Sequence, residues 1–293
     1  MIGKLKNIFP SLRFYAPDKD IYDDKYQWFL TDEQEIIGIA NDELSTKELS
    51  LLKTFLTPYN IKFPPPNPNE KKWIEMIKDE KIHYPIPGHY RFVYFSLRYS
   101  DIDPIPFKEA IQELFPKDVP IIWENEYEGV MIEIQENDQE PVTYEQIIDV
   151  LMSDLYGKIY FYVGPFQDNV DHVRDYYFSM IKGAKTALQY STKSVMTYTE
   201  SVPFLLIDQL DADVKTNIAE FILQDFMNDK ETLKMIETFV ECNLNISETA
   251  KELYMHRNSL QYRLDRFQKK TGIDIRQFHE AMTVYLAVIA HKK

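Results

Sequence analysis

Hydrophobic and polar positions follow two different periods along this chain of 293 residues. Near the start, Trp28–Leu30 and Glu35–Ala40 read as two strands of a hairpin around the polar turn Thr31–Gln34. Ser45 with Glu48 has the spacing of a capping box. Leu49, Leu52, Phe55 and Leu56 then supply an apolar stripe at helical spacing. Lys62–Glu70 holds Pro64, Pro65, Pro66 and Pro68 and predicts a stiff extended linker rather than helix. A helix carrying Trp73, Ile74, Met76 and Ile77 follows. From about Tyr90, strands and helices interleave. Strands are expected at Tyr90–Arg98, Lys158–Val163 and Ser194–Tyr198, with a hairpin of Val119–Asn125 and Val130–Glu136 around Glu126–Gly129. Helices are expected at Phe107–Phe115, Tyr144–Leu155 and Asn169–Gln189. This order predicts an antiparallel or mixed sheet with helices on one face. After Ser201 the pattern is helical to the end. The expected class is α+β and multidomain: a small α+β domain with its Pro-rich linker over 1–85, an α/β middle domain over 86–205, and an all-α domain over 206–293.

The densest pattern lies between Glu231 and Gly272. Glu231–Glu241 places Leu233, Ile236, Phe239 and Val240 on one side of a helix. Asn245 caps a second helix, with Glu248 at the capping-box position. Ala250 and Leu253 face inward, and the small Ala250 lets the next helix cross closely. Tyr254-Met255-His256 makes a turn. A third helix runs from about Arg257 to Lys270 and stops near Gly272. At about 100° per residue, Leu264 and Phe267 fall within about 40° of Leu260 and form its buried face. Asn258, Tyr262 and Lys269 fall almost opposite, with Arg266 to one side and Ser259 and Gln261 on the flanks.

Two short helices and a tight turn, the second helix polar outside, suit insertion into the DNA major groove. Residues near that helix's N-terminus (Arg257, Asn258, Ser259, Gln261 and Tyr262) would face base edges. Asn and Gln pair with adenine, Arg with guanine, and Ser with several bases. Arg266, Lys269 and Lys270 would meet phosphates, which add affinity without sequence information. The two lysines also complement the dipole at the helix end. Arg263 projects near the buried face, where an internal ion pair or packing role competes with DNA contact. Asp265 on the outward side keeps open a third reading, an interaction module that does not bind DNA.

Charge sharpens the contrast. The chain carries 33 Lys+Arg and 47 Asp+Glu, a net −14. Glu231–Lys293 holds 10 of the basic and 8 of the acidic residues, a balance of +2 that leaves 23 against 39, or −16, elsewhere. A basic tip on an acidic body confines DNA to that tip. The single Cys242 excludes an internal disulfide or a multi-cysteine metal site; a small apolar residue near a helix end is its expected role. No apolar run approaches eighteen residues and no signal-peptide core opens the chain, which predicts a soluble cytoplasmic protein with no membrane partner.

The string HRNSLQYRL, preceded by ETAKEL and followed by KKTGIDI, resembles the C-terminal helix-turn-helix of the PucR/CdaR family of bacterial transcription regulators. Thr249, Ala250, Leu253, His256, Arg257, Asn258, Ser259, Leu260, Tyr262, Arg263, Leu264 and Gly272 carry the match. A closing helix with Phe278, Met282, Leu286 and Ile289 on one face fits as well. The resemblance covers roughly residues 206–293. It implies sequence-specific binding of double-stranded DNA as a homodimer, under control of the preceding domains, with a small-molecule effector as a candidate partner. It also implies a degenerate GGDEF-like middle domain, similar in layout at Val163-Gly164, Val173–Leu188 and Val195–Tyr198.

An enzyme built on that middle domain, nucleotide-binding or diguanylate-cyclase-like, is the alternative. Asp101 and Asp103 after the first strand evoke a metal-binding loop. The hairpin turn, however, reads Glu126-Tyr127-Glu128-Gly129, without the adjacent glycines that let a nucleotide approach the backbone. Solvated acidic loops on an inactive scaffold are therefore expected, with no catalytic residues, metal or cofactor. No Gly-rich phosphate loop, His-x-x-x-His or Cys-x-x-Cys occurs. His83, His89 and His172 are expected at the surface.

Overall fold

A computed structural model describes residues 2–15, 25–31, 35–59, 66–98, 102–125, 127–135 and 142–292. Most of the turn Thr31–Gln34, and Pro64, Pro65, Asp101 and Glu126, lie outside the described residues. By internal packing the chain divides into two units, Met1–Ile181 and Lys182–Lys293.

The first unit opens with α1 (Ile2–Ile8), followed by β1 (Arg13–Phe14), β2 (Tyr26–Leu30), β3 (Ile36–Ala40), α2 (Thr46–Phe55) and β4 (Thr57–Tyr59). The four strands form an antiparallel sheet in the order β1-β3-β2-β4. The expected pairing is present, with Trp28 opposite Gly38. Strand alternation sends Phe29, Ile37 and Ile39 to one face, against Leu52, Leu56, Phe9 and Leu12. Ser45 and Glu48 close the expected capping box on α2. Phe55, expected in the helix stripe, is exposed instead. Its helical step turns it about 90° away from the centre of the Leu49–Leu52–Leu56 row. On the other face, Trp28 lies flat over Gly38, where an added Cβ would fall 2.7 Å from the indole.

The Pro-rich segment ends earlier than predicted. Pro68 begins α3 (Pro68–Lys78), with Asn67 and Glu70 forming a capping box. Proline is compatible with the first helical turn, where its missing N–H has no partner to lose. α4 (Pro104–Leu114) likewise starts on a proline, three residues before the expected Phe107. Glu70 is 1% exposed. Its carboxylate accepts from Asn67 N–H at 2.8 Å, Lys108 Nζ at 2.7 Å and Ile121 N–H at 3.0 Å. Trp73 on α3 packs against Tyr90 and Phe92, with ring centroids 5.0 and 5.9 Å apart.

Those aromatics belong to a second antiparallel sheet. Within the first unit, β5 (His89–Ser96), β6 (Ile121–Asn125), β7 (Glu128–Gln135) and β8 (Tyr160–Val163) run in the order β6-β7-β5-β8. α5 (Tyr144–Asp154) and α6 (Val173–Tyr190) complete the interleaved order. Tyr90, Phe92, Val93, Tyr94 and Phe95 are all buried, so β5 is covered on both faces. This accounts for its near-continuous apolar sequence. His89 is at the surface as expected, its Nδ1 2.6 Å from Asp168.

The β6–β7 turn corrects one expectation. Glu128, read as part of a solvated acidic loop, is buried. Its Oε1 lies 2.7 Å from Arg98 Nη2, and its Oε2 accepts from Asn125 Nδ2 at 3.1 Å. A strand register that turns Glu128 inward requires such partners. At Gly129 an added Cβ would fall 2.6 Å from both the Phe95 ring and the Ile122 carbonyl oxygen. Packing explains that glycine without any ligand.

The second unit contains β9 (Val195–Thr197), α7 (Tyr198–Asp208), α8 (Ala212–Leu223), α9 (Lys230–Glu241), α10 (Ile246–Glu252), α11 (Arg257–Thr271) and α12 (Phe278–His291). Its core gathers Leu223, Phe226, Met235, Ile236, Phe239, Leu260, Leu264 and Phe267. α12 is rotated relative to the expected face. Ala281, Val284, Ala287 and Val288 point into the core, while Phe278 and Met282 are exposed; only Ile289 of the predicted row is fully buried. The small alanines let α12 lie close to the neighbouring helices, so packing favours them over the larger residues that a hydrophobicity pattern picks out. Among the described residues, no helix is long and apolar enough to cross a membrane, and no group of three or more His, Cys, Asp or Glu could hold a metal ion.

Candidate nucleic-acid interface

The interface is built from α9, α10 and α11. Asp229 caps α9, its carboxylate accepting from Thr232 N–H at 3.1 Å and Thr232 Oγ1 at 2.8 Å. The Thr232 hydrogen bonds, with Arg266 and Arg263 nearby, hold the Asp229 carboxyl below its ordinary pKa. α9 ends at Cys242, the C-cap residue, which is half-buried as expected of a small residue there. The chain then turns through Asn243 and Leu244, both at positive φ, of 52° and 59°. Asn245 caps α10, accepting from Ser247 N–H at 2.9 Å and Glu248 N–H at 3.2 Å. The return bond from Glu248 expected of a capping box does not form, so this cap is one-sided. Thr249 and Ala250 are the buried residues of α10, and Ala250 sits in the shared core beside Leu260.

The tight turn centres on Tyr254, at φ 52°, with Met255 N–H donating to the Ala250 carbonyl at 2.9 Å. His256, read from sequence only as part of this turn, is the N-cap of α11. Its Nδ1 accepts from Asn258 N–H at 3.2 Å. α11 stops at Gly272, whose φ of 80° is the left-handed conformation that closes a helix without Cβ strain. Leu260, Leu264 and Phe267 are buried as predicted, and Phe267 packs on Phe226 with ring centroids 5.0 Å apart.

The anchored side fixes the free side. Arg257, Asn258 and Ser259 are exposed along the first turn, Tyr262 is 70% exposed, and Gln261 is half-buried on a flank. Arg266, Lys269 and Lys270 are exposed further along. These eight predicted residues therefore lie on one helix. Two of the cations already have local partners. Lys270 Nζ lies 3.2 Å from Asp225, and the Arg266 guanidinium sits 5.7 Å from the centre of the Phe226 ring. Arg263 resolves as an ion pair, its Nη2 3.0 Å from Glu231. Asp265 no longer argues against DNA. Arg276 Nη1 donates to it at 2.8 Å, and the same guanidinium reaches Asp274 at 2.6 Å and Gln268 at 2.5 Å. Arg276 holds the Asp274 carboxyl below its usual range.

Sequence reasoning missed Asp225, Asp229, Glu231 and Arg276 as partners of α11. No local spacing connects the first three to that helix, because they meet it across more than thirty residues of chain. Between the start of α9 and α11 lies an open cleft of about 460 Å³ that Glu231, Asn258, Tyr262, Arg263 and Arg266 help to line.

Residues 232–290 match the family of the PucR C-terminal helix-turn-helix domain. Over 275 residues the chain is 32% identical to the uncharacterized protein YxkF of Bacillus subtilis, covering 90% of this chain and 91% of that one. It is 30% identical to the purine catabolism regulatory protein of Bacillus subtilis and 30% identical to the carbohydrate diacid regulator of Escherichia coli. Those two matches cover 34% and 29% of this chain, and only 20% and 23% of the two regulators. The chain belongs to the PucR/CdaR-type family of helix-turn-helix proteins and is a DNA-binding transcriptional regulator.

Proposed function

We propose that α11 is the recognition helix of this regulator and lies in the major groove of double-stranded DNA. The observation that carries this reading is the pairing of a fully buried row, Leu260–Leu264–Phe267, with an exposed row of Asn258, Tyr262 and Lys269. Arg257, Asn258, Ser259, Gln261 and Tyr262 reach base edges, and Arg266, Lys269 and Lys270 meet phosphate. The protein acts in the cytoplasm as a homodimer, because one module of this size offers few phosphate contacts and two linked modules gain from effective concentration. Residues 1–85 and 86–205 sense a signal, with a small-molecule effector as the candidate, and bring the two copies together.

Variant binding tests the docking face. Asn258→Ala and Gln261→Ala are each expected to cost about 1–3 kcal/mol at a specific site, while Lys269→Ala weakens all duplexes alike and flattens the salt dependence. Wild-type affinity in all three variants, at several salt concentrations, would place the contact elsewhere.

The middle part works without catalysis in this reading. The buried Glu128 and the packing-bound Gly129 support it, since neither leaves a backbone cradle for a nucleotide. Incubation with GTP and magnesium or manganese is expected to yield no cyclic dinucleotide. Turnover that Asp103→Ala abolishes would establish an enzyme instead.

A further inference from the structure

Two carboxylates precede α9, at Asp225 and its N-cap Asp229, and a third, Glu231, lies in its first turn. This stretch runs beside one flank of α11. At about 100° per residue, Arg263, Arg266 and Lys270 fall within about 60° of one another on that flank. Each faces an acid. Arg263 Nη2 is 3.0 Å from Glu231, and Lys270 Nζ is 3.2 Å from Asp225. Arg266 and Arg263 act electrostatically on Asp229. The opposite flank has the reverse arrangement, with the outside cation Arg276 neutralising the helix's own Asp265.

We propose that Asp225 and Glu231 are intramolecular competitors of DNA phosphate for Arg263 and Lys270, and so set how tightly and how salt-dependently the helix binds any duplex. The proposal rests on the reading that α11 docks on DNA. The geometry is suited to competition rather than to permanent pairing. Glu231 and Asp225 are each 78% exposed, and Lys270 is 56% exposed. Exposed pairs of this kind are weak, so a polyanion can displace them. A DNA phosphate offers the same charge-assisted hydrogen bonds, and its binding also releases counterions. The carboxylates remain after displacement, close to the duplex, and repel it. Asp229 is different, because its carboxylate caps α9 and stays engaged with Thr232. A chain carrying net −14 already repels nucleic acid, and these carboxylates bring the same sign to the edge of the reading helix.

The test uses full-length protein carrying Asp225→Asn and Glu231→Gln together. Both changes are nearly isosteric, lie at exposed positions and leave the Asp229 cap in place. Binding to random-sequence duplex DNA is measured over a range of salt, with thermal unfolding to show that the fold is unchanged. The double variant is expected to bind about 3- to 10-fold more tightly at low salt, with a steeper salt slope, since each added phosphate contact contributes about 0.9 to that slope. Adding Arg263→Ala should cancel much of the gain. Affinity equal to or weaker than wild type in the folded double variant would overturn the proposal. So would a gain that Arg263→Ala and Lys270→Ala both leave intact. Asn258→Ala, measured on a duplex selected by the wild-type protein, reports on the docking face separately: a loss of specific binding there, with no gain in the double variant on random-sequence DNA, removes the competition and keeps the docking.

Discussion

Phe267→Ala is expected to cost the second unit about 3–5 kcal/mol and to abolish DNA binding near its unfolding midpoint. Phe267 is fully buried and joins Phe226 to Leu264, Leu260 and the core residues of α9 and α12. Truncation removes the ring's burial and leaves a cavity in the shared core beside Phe226. The loss also acts on function, because this residue sets the rotation of α11 and hence which side chains face outward. Urea unfolding followed by far-ultraviolet circular dichroism measures the cost. A loss under about 1 kcal/mol would mean that α11 is not anchored through this ring.

Glu70→Ala is expected to cost the first unit about 3–5 kcal/mol, through uncompensated charge rather than a cavity. It would strand Lys108, whose side chain is only 15% exposed, and leave the Ile121 N–H without its acceptor. All three tryptophans, Trp28, Trp73 and Trp123, lie in this unit, so indole fluorescence reports its unfolding. Glu70→Gln should recover part of the loss by keeping an acceptor for Ile121. An Ala variant as stable as wild type would show that Glu70 does not tie α3 to α4 and β6.

The sequence exposed those elements whose physics is local. The capping box at Ser45 and Glu48, the strand pairing of Trp28 with Gly38, and the stop at Gly272 depend on neighbours a few residues away, and all are present. The buried row of α11 was equally legible, because Leu260, Leu264 and Phe267 obey one helical period. Readings failed where packing chose between equally apolar surfaces. Phe278 and Met282 look like core, yet α12 turns its alanines inward. Prolines misled in the other direction, since Pro68 and Pro104 begin helices rather than exclude them. The acids beside α11 were invisible for a third reason. Ion pairs such as Lys270 with Asp225 join residues far apart in the chain, and no spacing rule connects them.

Selection of bound DNA from a random or genomic pool by the full-length protein tests the central claim most directly. The account predicts recovery of a shared sequence, with half-sites about 10 bp apart or a multiple of that, as two linked recognition helices require. Asn258→Ala and Gln261→Ala should lose that enrichment while retaining salt-sensitive binding to bulk DNA. A pool that shows no shared sequence, or one that both variants recover as well as wild type, would contradict sequence reading by α11.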